Sequence, residues 1–275
     1  MRVVALFENR TISEELIAKH GLSLFIETEN HRILFDTGVD DSFIKNAFKL
    51  EVNLSEVDTL VISHGHYDHG GGLEAFMEIN KKAKIYISDK AFEDYYSKSR
   101  SFFKRYIGLD KKLKNSDRLI FVKDEFQVDE GIKIFGAVRG KRLIPKGNNK
   151  LYKRAMDGKL IIDNFEHEIN LLISEGERNI LFCGCAHNGI VNIIDKAVEI
   201  TGRKISTVIG GMHLMSLDPE GKEDQAYLDI LSQELNGFNV GEYYTCHCTG
   251  EIAYNYLKQK ITKLYDIKTG MVIEV

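Results

Sequence analysis

Cysteine is scarce in this chain, with four in 275 residues. That is far too few for a disulfide scaffold at this size, so free thiols in a reducing compartment are expected. They fall in two pairs, Cys183 and Cys185 in "CGC" and Cys246 and Cys248 in "CHC". The plain reading is four small buried residues near strand ends. Residues two apart on a strand share a face, so each pair can also offer two thiols to one place. Long apolar runs are missing as well. Nothing approaches the roughly 20 residues of a membrane span, and the apolar run in "MRVVALFENR" is too short for a signal peptide. A cytoplasmic protein without a membrane partner is expected. A positive excess is lacking too: the net charge is −4 and the pI about 6.2. That argues against a general nucleic-acid binder. With two prolines, no Pro/Ser-rich linker and no fixed-period repeat, the chain reads as one domain over residues 1–275.

What is present is alternation. "VVALFE" reads as a strand, "LSLFIETENHRILFDTG" as a hairpin turning at Glu29–Asn30, "VDTLVISH" as a buried strand, "GLEAFMEINKKA" as a helix and "KIYISD" as another strand. The last hundred residues repeat the theme. "RNILFCGCAH" runs into the helix "NGIVNIIDKAVEITG", in which Ile190, Ile193, Ile194, Ala197 and Val198 share a face and Gly202 closes the end. "ISTVIGGMH" and "GEYYTCH" are further strands, and "TGEIAYNYLKQKI" is a helix. The fold class is therefore α/β. Residues 90–165 differ. They hold seven basic residues between Lys98 and Lys114 against the single acid Asp110, and seven more with no acid over 139–154. This stretch reads as a basic, aromatic insertion or lid.

"SHGHYDHGGG" at residues 63–72 places His64, His66, Asp68 and His69 directly after a buried strand. His64 and His66 alternate and can converge on one ion, while Asp68 and His69 suit a second beside it. Imidazole with carboxylate suits Zn²⁺, Mn²⁺ or Fe²⁺. An open coordination position would bind a water that ionises near neutral pH and serves as nucleophile. His187, His213 and His247 also follow apolar strands, where α/β proteins place their ligands.

The H-x-H-x-D-H pattern resembles the signature of the metallo-β-lactamase superfamily, whose fold is an αββα sandwich. The resemblance covers nearly the whole chain. It implies that Asp36 in "ILFDTG" supports the ligands from behind, that His187 in "GCAHNGIVN" completes the first metal site, and that His247 in "CHCTG" completes the second. "GCAHNGI", "GGMHL" and "CHCTG" together resemble the branch named for the dihydropterin–ribofuranosylaminobenzene phosphate synthase of tetrahydromethanopterin synthesis. One departure stands out. The superfamily has an aspartate bridging the two metals, but the corresponding strand end reads "VIGGMHLMSLD", with His213 as the nearest ligand-type side chain and Asp218 further along. One or two divalent ions are implied, zinc first.

Two enzymatic readings follow, hydrolysis by metal-bound hydroxide and transfer of a pterin diphosphate to an arylamine ribose phosphate. A metal-dependent sensor or binding protein without turnover is the alternative. The basic stretch favours a small anionic, phosphorylated substrate, with Lys104, Arg105, Arg139, Lys141 and Arg142 as phosphate contacts and Phe102, Phe103 and Tyr106 able to stack on a planar ring. His167, in the cluster Glu166–Glu168, and Thr249 are further candidate substrate contacts. Asp68 and His213 are candidate catalytic groups.

Overall fold

A computed structural model describes residues 1–98, 104–216 and 222–275. Phe102, Phe103 and Asp218 lie outside the described residues. The chain divides into two compact units. Unit 1 comprises residues 1–123, 152–161 and 267–275, and unit 2 comprises 124–151 and 162–266. Residues 90–165, expected as one insertion, are thus shared between the units.

Unit 1 carries a seven-stranded sheet. Its strands are β1 (Arg2–Phe7), β2 (Ser23–Glu27), β3 (Arg32–Phe35), β4 (Thr59–Ile62), β5 (Lys84–Ser88), β8 (Leu119–Val122) and β18 (Val272–Glu274), in the order β18-β1-β2-β3-β4-β5-β8. The expected hairpin is β2–β3, closed by Thr28 N–H donating to the His31 carbonyl. From β3 to β8 the pairing is parallel. β4 is buried at every position, as a strand covered on both faces must be. Val4, Leu6, Leu34, Leu60, Ile62, Ile85 and Ile87 alternate along their strands onto one face. There they pack with Phe43 and Ala47 of α1 (Ser42–Lys49) and Leu73 and Phe76 of α3 (Leu73–Ile79). A one-turn helix, α2 (Tyr67–Gly70), precedes α3. A four-stranded sheet, in the order β12-β11-β6-β7, is formed by β6 (Tyr95–Lys98), β7 (Lys104–Tyr106), β11 (Leu151–Arg154) and β12 (Leu160–Ile162).

Unit 2 has its own seven-stranded sheet, ordered β17-β16-β15-β14-β13-β10-β9. These strands are β9 (Glu125–Asp129), β10 (Ile132–Phe135), β13 (Asn170–Glu175), β14 (Arg178–Cys183), β15 (Thr207–Gly210), β16 (Glu242–Thr245) and β17 (Leu264–Asp266). β14 to β17 run parallel. α4 (Ile190–Thr201) buries Ile190, Ile193, Ile194 and Ala197, the face expected from their spacing. Gly202 ends it in the left-handed conformation, its N–H returning to the Val198 carbonyl. α6 (Glu251–Lys258) adds Ala253 and Leu257 to the core. α5 (Lys222–Gly237) had no counterpart in the sequence reading. It buries Leu228, Leu231 and Leu235, but charged residues between them dilute the apolar stripe.

In each unit the ligand-type residues sit just beyond the carboxyl ends of parallel strands. Asp36 follows β3 and His64 follows β4; His187, His213 and His247 follow β14, β15 and β16. Cys183, Gly210 and Thr245 are in register across those last three strands, so the chain leaves them at one level.

Candidate functional site

The histidine turn of unit 1 is built around a buried carboxylate. Asp36 is fully buried and has a φ of 63°, a conformation few non-glycine residues adopt. Its Oδ1 accepts from Ser63 N–H at 2.7 Å, and its Oδ2 accepts from Ser63 Oγ at 2.8 Å and His69 Nδ1 at 2.6 Å. A carboxylate only accepts, so the His69 proton is on Nδ1. The Ser63 hydroxyl gives its proton to Asp36 and so accepts from His64 Nδ1, 2.9 Å away. Both rings are thereby fixed with Nε2 as the donor atom toward an ion. The His64 ring lies 4.6 Å from that of His66 and 4.1 Å from that of His69, centroid to centroid. Asp68 Oδ2 faces His20 Nε2 at 3.1 Å.

The glycines explain how the turn fits. A Cβ at Gly71 would come within 2.3 Å of the Val39 carbonyl oxygen, and one at Gly72 within 2.5 Å of that of Thr37. The turn therefore presses directly on the backbone that follows Asp36. "HGGG" is a close-packing requirement here, with the histidine as its functional member.

Unit 2 orients its histidines by other means. Asn148 brackets His187: its Nδ2 donates to the His187 carbonyl at 2.8 Å, and its Oδ1 accepts from His187 Nδ1 at 3.0 Å. Again Nε2, itself buried, is the atom left as donor. Glu168, 1% exposed, accepts from His187 N–H at 2.6 Å and from both the backbone and side-chain nitrogens of Asn188 at 2.8 Å. Burial pushes the Glu168 carboxyl above its usual value, against the pull of those N–H donors. Phe165 stacks on the His187 ring at 4.3 Å, and the His213 ring tilts against it at 4.2 Å. Phe165, Ala186, His213 and His247 all have φ between 49° and 54°, so left-handed backbone gathers at these strand ends. The buried cysteines differ from one another. Burial pushes the Cys183 thiol well up. Burial opposes ionisation of Cys248 too, but contacts from Cys185 and His213 and the charges of His247 and His213 outweigh it and hold that thiol well down.

The other sequence candidates fall as follows. His167 Nε2 bonds Asp163 Oδ2 at 2.9 Å, both side chains buried. Thr249 Oγ1 accepts from Met212 N–H at 2.9 Å and meets Thr245 Oγ1 at 2.5 Å, an internal tie between strand ends. Arg142 pairs with Asp195 of α4 and, at 2.7 Å, with Glu234 of α5. Arg139 lines a surface pocket of unit 2 that also contains Asp124, Glu125, Asp195 and Glu199. Lys104 lies over the Tyr152 ring at 3.6 Å, and Arg105 over the Tyr67 ring at 5.1 Å, on the histidine turn itself. Asn148 and the clamping role of Glu168 were missed. The one signal for Glu168 was a carboxylate heading the apolar run "INLLI", where burial demands partners.

The donor chemistry fits a divalent transition metal, because imidazoles locked at Nδ1 by oxygen partners are what metal-bound histidines require. Known proteins agree with this architecture. The metallo-beta-lactamase superfamily matches residues 17–144. The 7,8-dihydropterin-6-methyl-4-(beta-D-ribofuranosyl)-aminobenzene-5'-phosphate synthase of Methanocaldococcus jannaschii is 32% identical over 275 residues, covering 94% of this chain and 90% of that protein. The crystal structure of Tm1679, described as a metal-dependent hydrolase of the beta-lactamase superfamily, matches with a TM-score of 0.83 at 29% identity, over 100% of this chain and 99% of that one. Zn²⁺-bound PqqB of Methylobacterium extorquens shares the fold alone, with a TM-score of 0.56 and 9% identity over all of both chains. With buried, oriented imidazoles at its strand ends and relatives spanning its length, this chain belongs to the metallo-beta-lactamase superfamily.

Proposed function

We propose that this protein is a metal-dependent enzyme that hydrolyses a small phosphorylated substrate, with His64, His66, Asp68, His69, His187 and His247 as ligands of one or two divalent ions, zinc foremost. The observation that carries this reading is the locking of His64, His69 and His187 at Nδ1 by Ser63, Asp36 and Asn148. Such locking serves no purpose for a solvated polar turn, and these rings are buried. Bound ions supply Lewis acidity and ease the ionisation of a water. The chain's own residues do the rest. Asp36 and Asn148 hold the tautomers, Asp68 holds or accepts a proton at its carboxylate, and Arg105, seated on Tyr67, receives the substrate phosphate.

A second reading is transfer of a pterin diphosphate to an arylamine ribose phosphate, favoured by the name of the Methanocaldococcus relative. One experiment separates the readings. Protein loaded with Zn²⁺, Mn²⁺ or Fe²⁺ is assayed against phosphoesters, neutral esters and lactones, and a pterin diphosphate with its arylamine partner. Metal-dependent phosphoester cleavage supports hydrolysis, and coupled pterin product without hydrolysis moves the assignment to transfer. No turnover on any substrate, with metal bound, removes the enzyme reading and leaves a sensor or binding protein.

A further inference from the structure

Four buried cysteines lie at the strand ends of unit 2, and only one of them belongs to its apolar core. Cys183 belongs to the apolar core, among Leu181, Val208 and Met212. Cys185 and Cys248 are equally buried, at 3% exposure each, yet stand outside that core cluster. They meet beyond the ends of three strands in register. Cys185 comes two residues after β14, His213 three after β15, and Cys248 three after β16. The Cys185 and Cys248 sulfurs and one ring nitrogen of His213 all lie within 4.8 Å of one another.

The surrounding backbone is shaped for this meeting. Gly211 makes room for a sulfur, since a Cβ there would stand 2.3 Å from Cys248 Sγ. The His213 N–H donates to that same sulfur at 3.2 Å, and the N–H groups of Leu214 and Met215 donate to the Cys248 carbonyl at 2.8 and 3.0 Å. These bonds pin residues 213–215 to the "CHC" turn. His213 itself is held at a φ of 51°, and its Nδ1 is buried without a hydrogen bond. A histidine held in left-handed backbone, with one buried ring nitrogen that makes no hydrogen bond and a ring nitrogen close to two sulfurs, is costly unless something binds there.

We propose that Cys185, Cys248 and His213 form a zinc site, two thiolates and one imidazole with the fourth position open to water or an anionic ligand. Thiolate with imidazole selects Zn²⁺ over Mn²⁺ or Mg²⁺. Two cysteines and a histidine with an exchangeable fourth ligand are a known catalytic zinc set. Ligand atoms around a tetrahedral zinc stand roughly 3.5–3.8 Å apart, so no pair of these atoms has to close by more than about 1.3 Å on binding. None of the three belongs to the ligand set assigned above, but the Cys185 sulfur also lies within 4.8 Å of a ring nitrogen of His187 and of His247, so the proposed site adjoins that set and is told from it by sulfur ligation rather than by zinc content alone.

X-ray absorption at the zinc edge of the zinc-loaded wild-type protein tests it directly. Sulfur at about 2.3 Å in the first shell is expected, beside nitrogen and oxygen at about 2.0–2.1 Å. Cobalt-loaded protein should show a thiolate-to-cobalt charge-transfer band. Cys185→Ser and Cys248→Ser should each weaken the sulfur signal and lose one equivalent of zinc, whereas Cys246→Ser should keep both. The His64→Ala, His66→Ala double variant should retain the sulfur-bound zinc while losing the other ion, which separates this site from the histidine turn. A wild-type zinc shell of nitrogen and oxygen alone, or no zinc uptake, overturns the proposal whether or not the variants fold, and even if phosphoesters are cleaved.

Discussion

The histidine turn of unit 1 and the strand ends of unit 2 hold the same kind of side chain by opposite strategies. In the turn, four ligand-type residues occupy six consecutive positions, and one carboxylate, Asp36, fixes two of the rings directly or through Ser63. The backbone there is tight because glycines let it be tight. In unit 2 the histidines come from three separate strands. Their supports, Asn148 and Glu168, lie 39 and 19 residues from His187. Left-handed backbone supports both, at Asp36 beside the turn and at Ala186, His213 and His247 here, so the strain too is spread over more positions in unit 2. Compact placement makes the turn rigid but dependent on one buried group. Dispersed placement spreads the dependence over several weaker contacts.

Substitutions can break this contrast. The largest effect is expected from His64→Ala with His66→Ala, which should bring metal at the turn to background and abolish turnover, as read by metal analysis and by assay. Asp36→Ala comes next. It strands three buried donors at once, so urea denaturation should show a loss of about 3–5 kcal/mol, and metal affinity at the turn should fall about ten- to a hundredfold. Removing one support in unit 2 should be milder. Asn148→Ala leaves the His187 carbonyl and Nδ1 without their partner and should cost about 1–3 kcal/mol. If it costs as much as Asp36→Ala in the same urea titration, the contrast between concentrated and dispersed support is wrong.

Much of unit 1 was legible in the sequence because its signals are local. The β2–β3 hairpin, the buried strand β4, the helix α3 and the ligand turn each declare themselves within a dozen residues. The helical face of α4 and its closing glycine were equally plain. What escaped was non-local. Nothing in "KGNNK" says that Asn148 will bracket a histidine 39 positions later. Nor does the cluster Glu166–Glu168, beyond the hint of a carboxylate heading an apolar run, say that Glu168 will accept the His187 N–H. The basic stretch was visible as charge, but charge alone does not say which arginine is already engaged.

Two smaller effects sharpen that last point. Arg105→Ala should raise KM for a phosphorylated substrate about ten- to a hundredfold, the worth of a charge-assisted contact of roughly 1.5–3 kcal/mol, and leave a neutral ester nearly unchanged. Arg142→Ala should change KM for neither. Its half-exposed pairs with Asp195 and Glu234 are worth less than about 1 kcal/mol of stability after solvent screening. A selective rise in KM for the phosphorylated substrate in Arg142→Ala would return that residue to the binding site.

The edge of the first sheet has a consequence for the order of assembly. β18 pairs with β1 in antiparallel register, Arg2 opposite Glu274, and the Met1 amino group donates to the Val275 carbonyl at 3.1 Å. The whole of unit 2 lies in sequence between the two strands of that pairing. During synthesis, β1 therefore waits with an open edge while some 260 residues emerge, the situation in which transient strand edges recruit the wrong partners. Unit 2 has all its strands in hand before that edge closes. It is expected to acquire protection from hydrogen exchange first, with the amides of β1 lagging until β18 arrives, and a pulse-labelling experiment during refolding would record that interval.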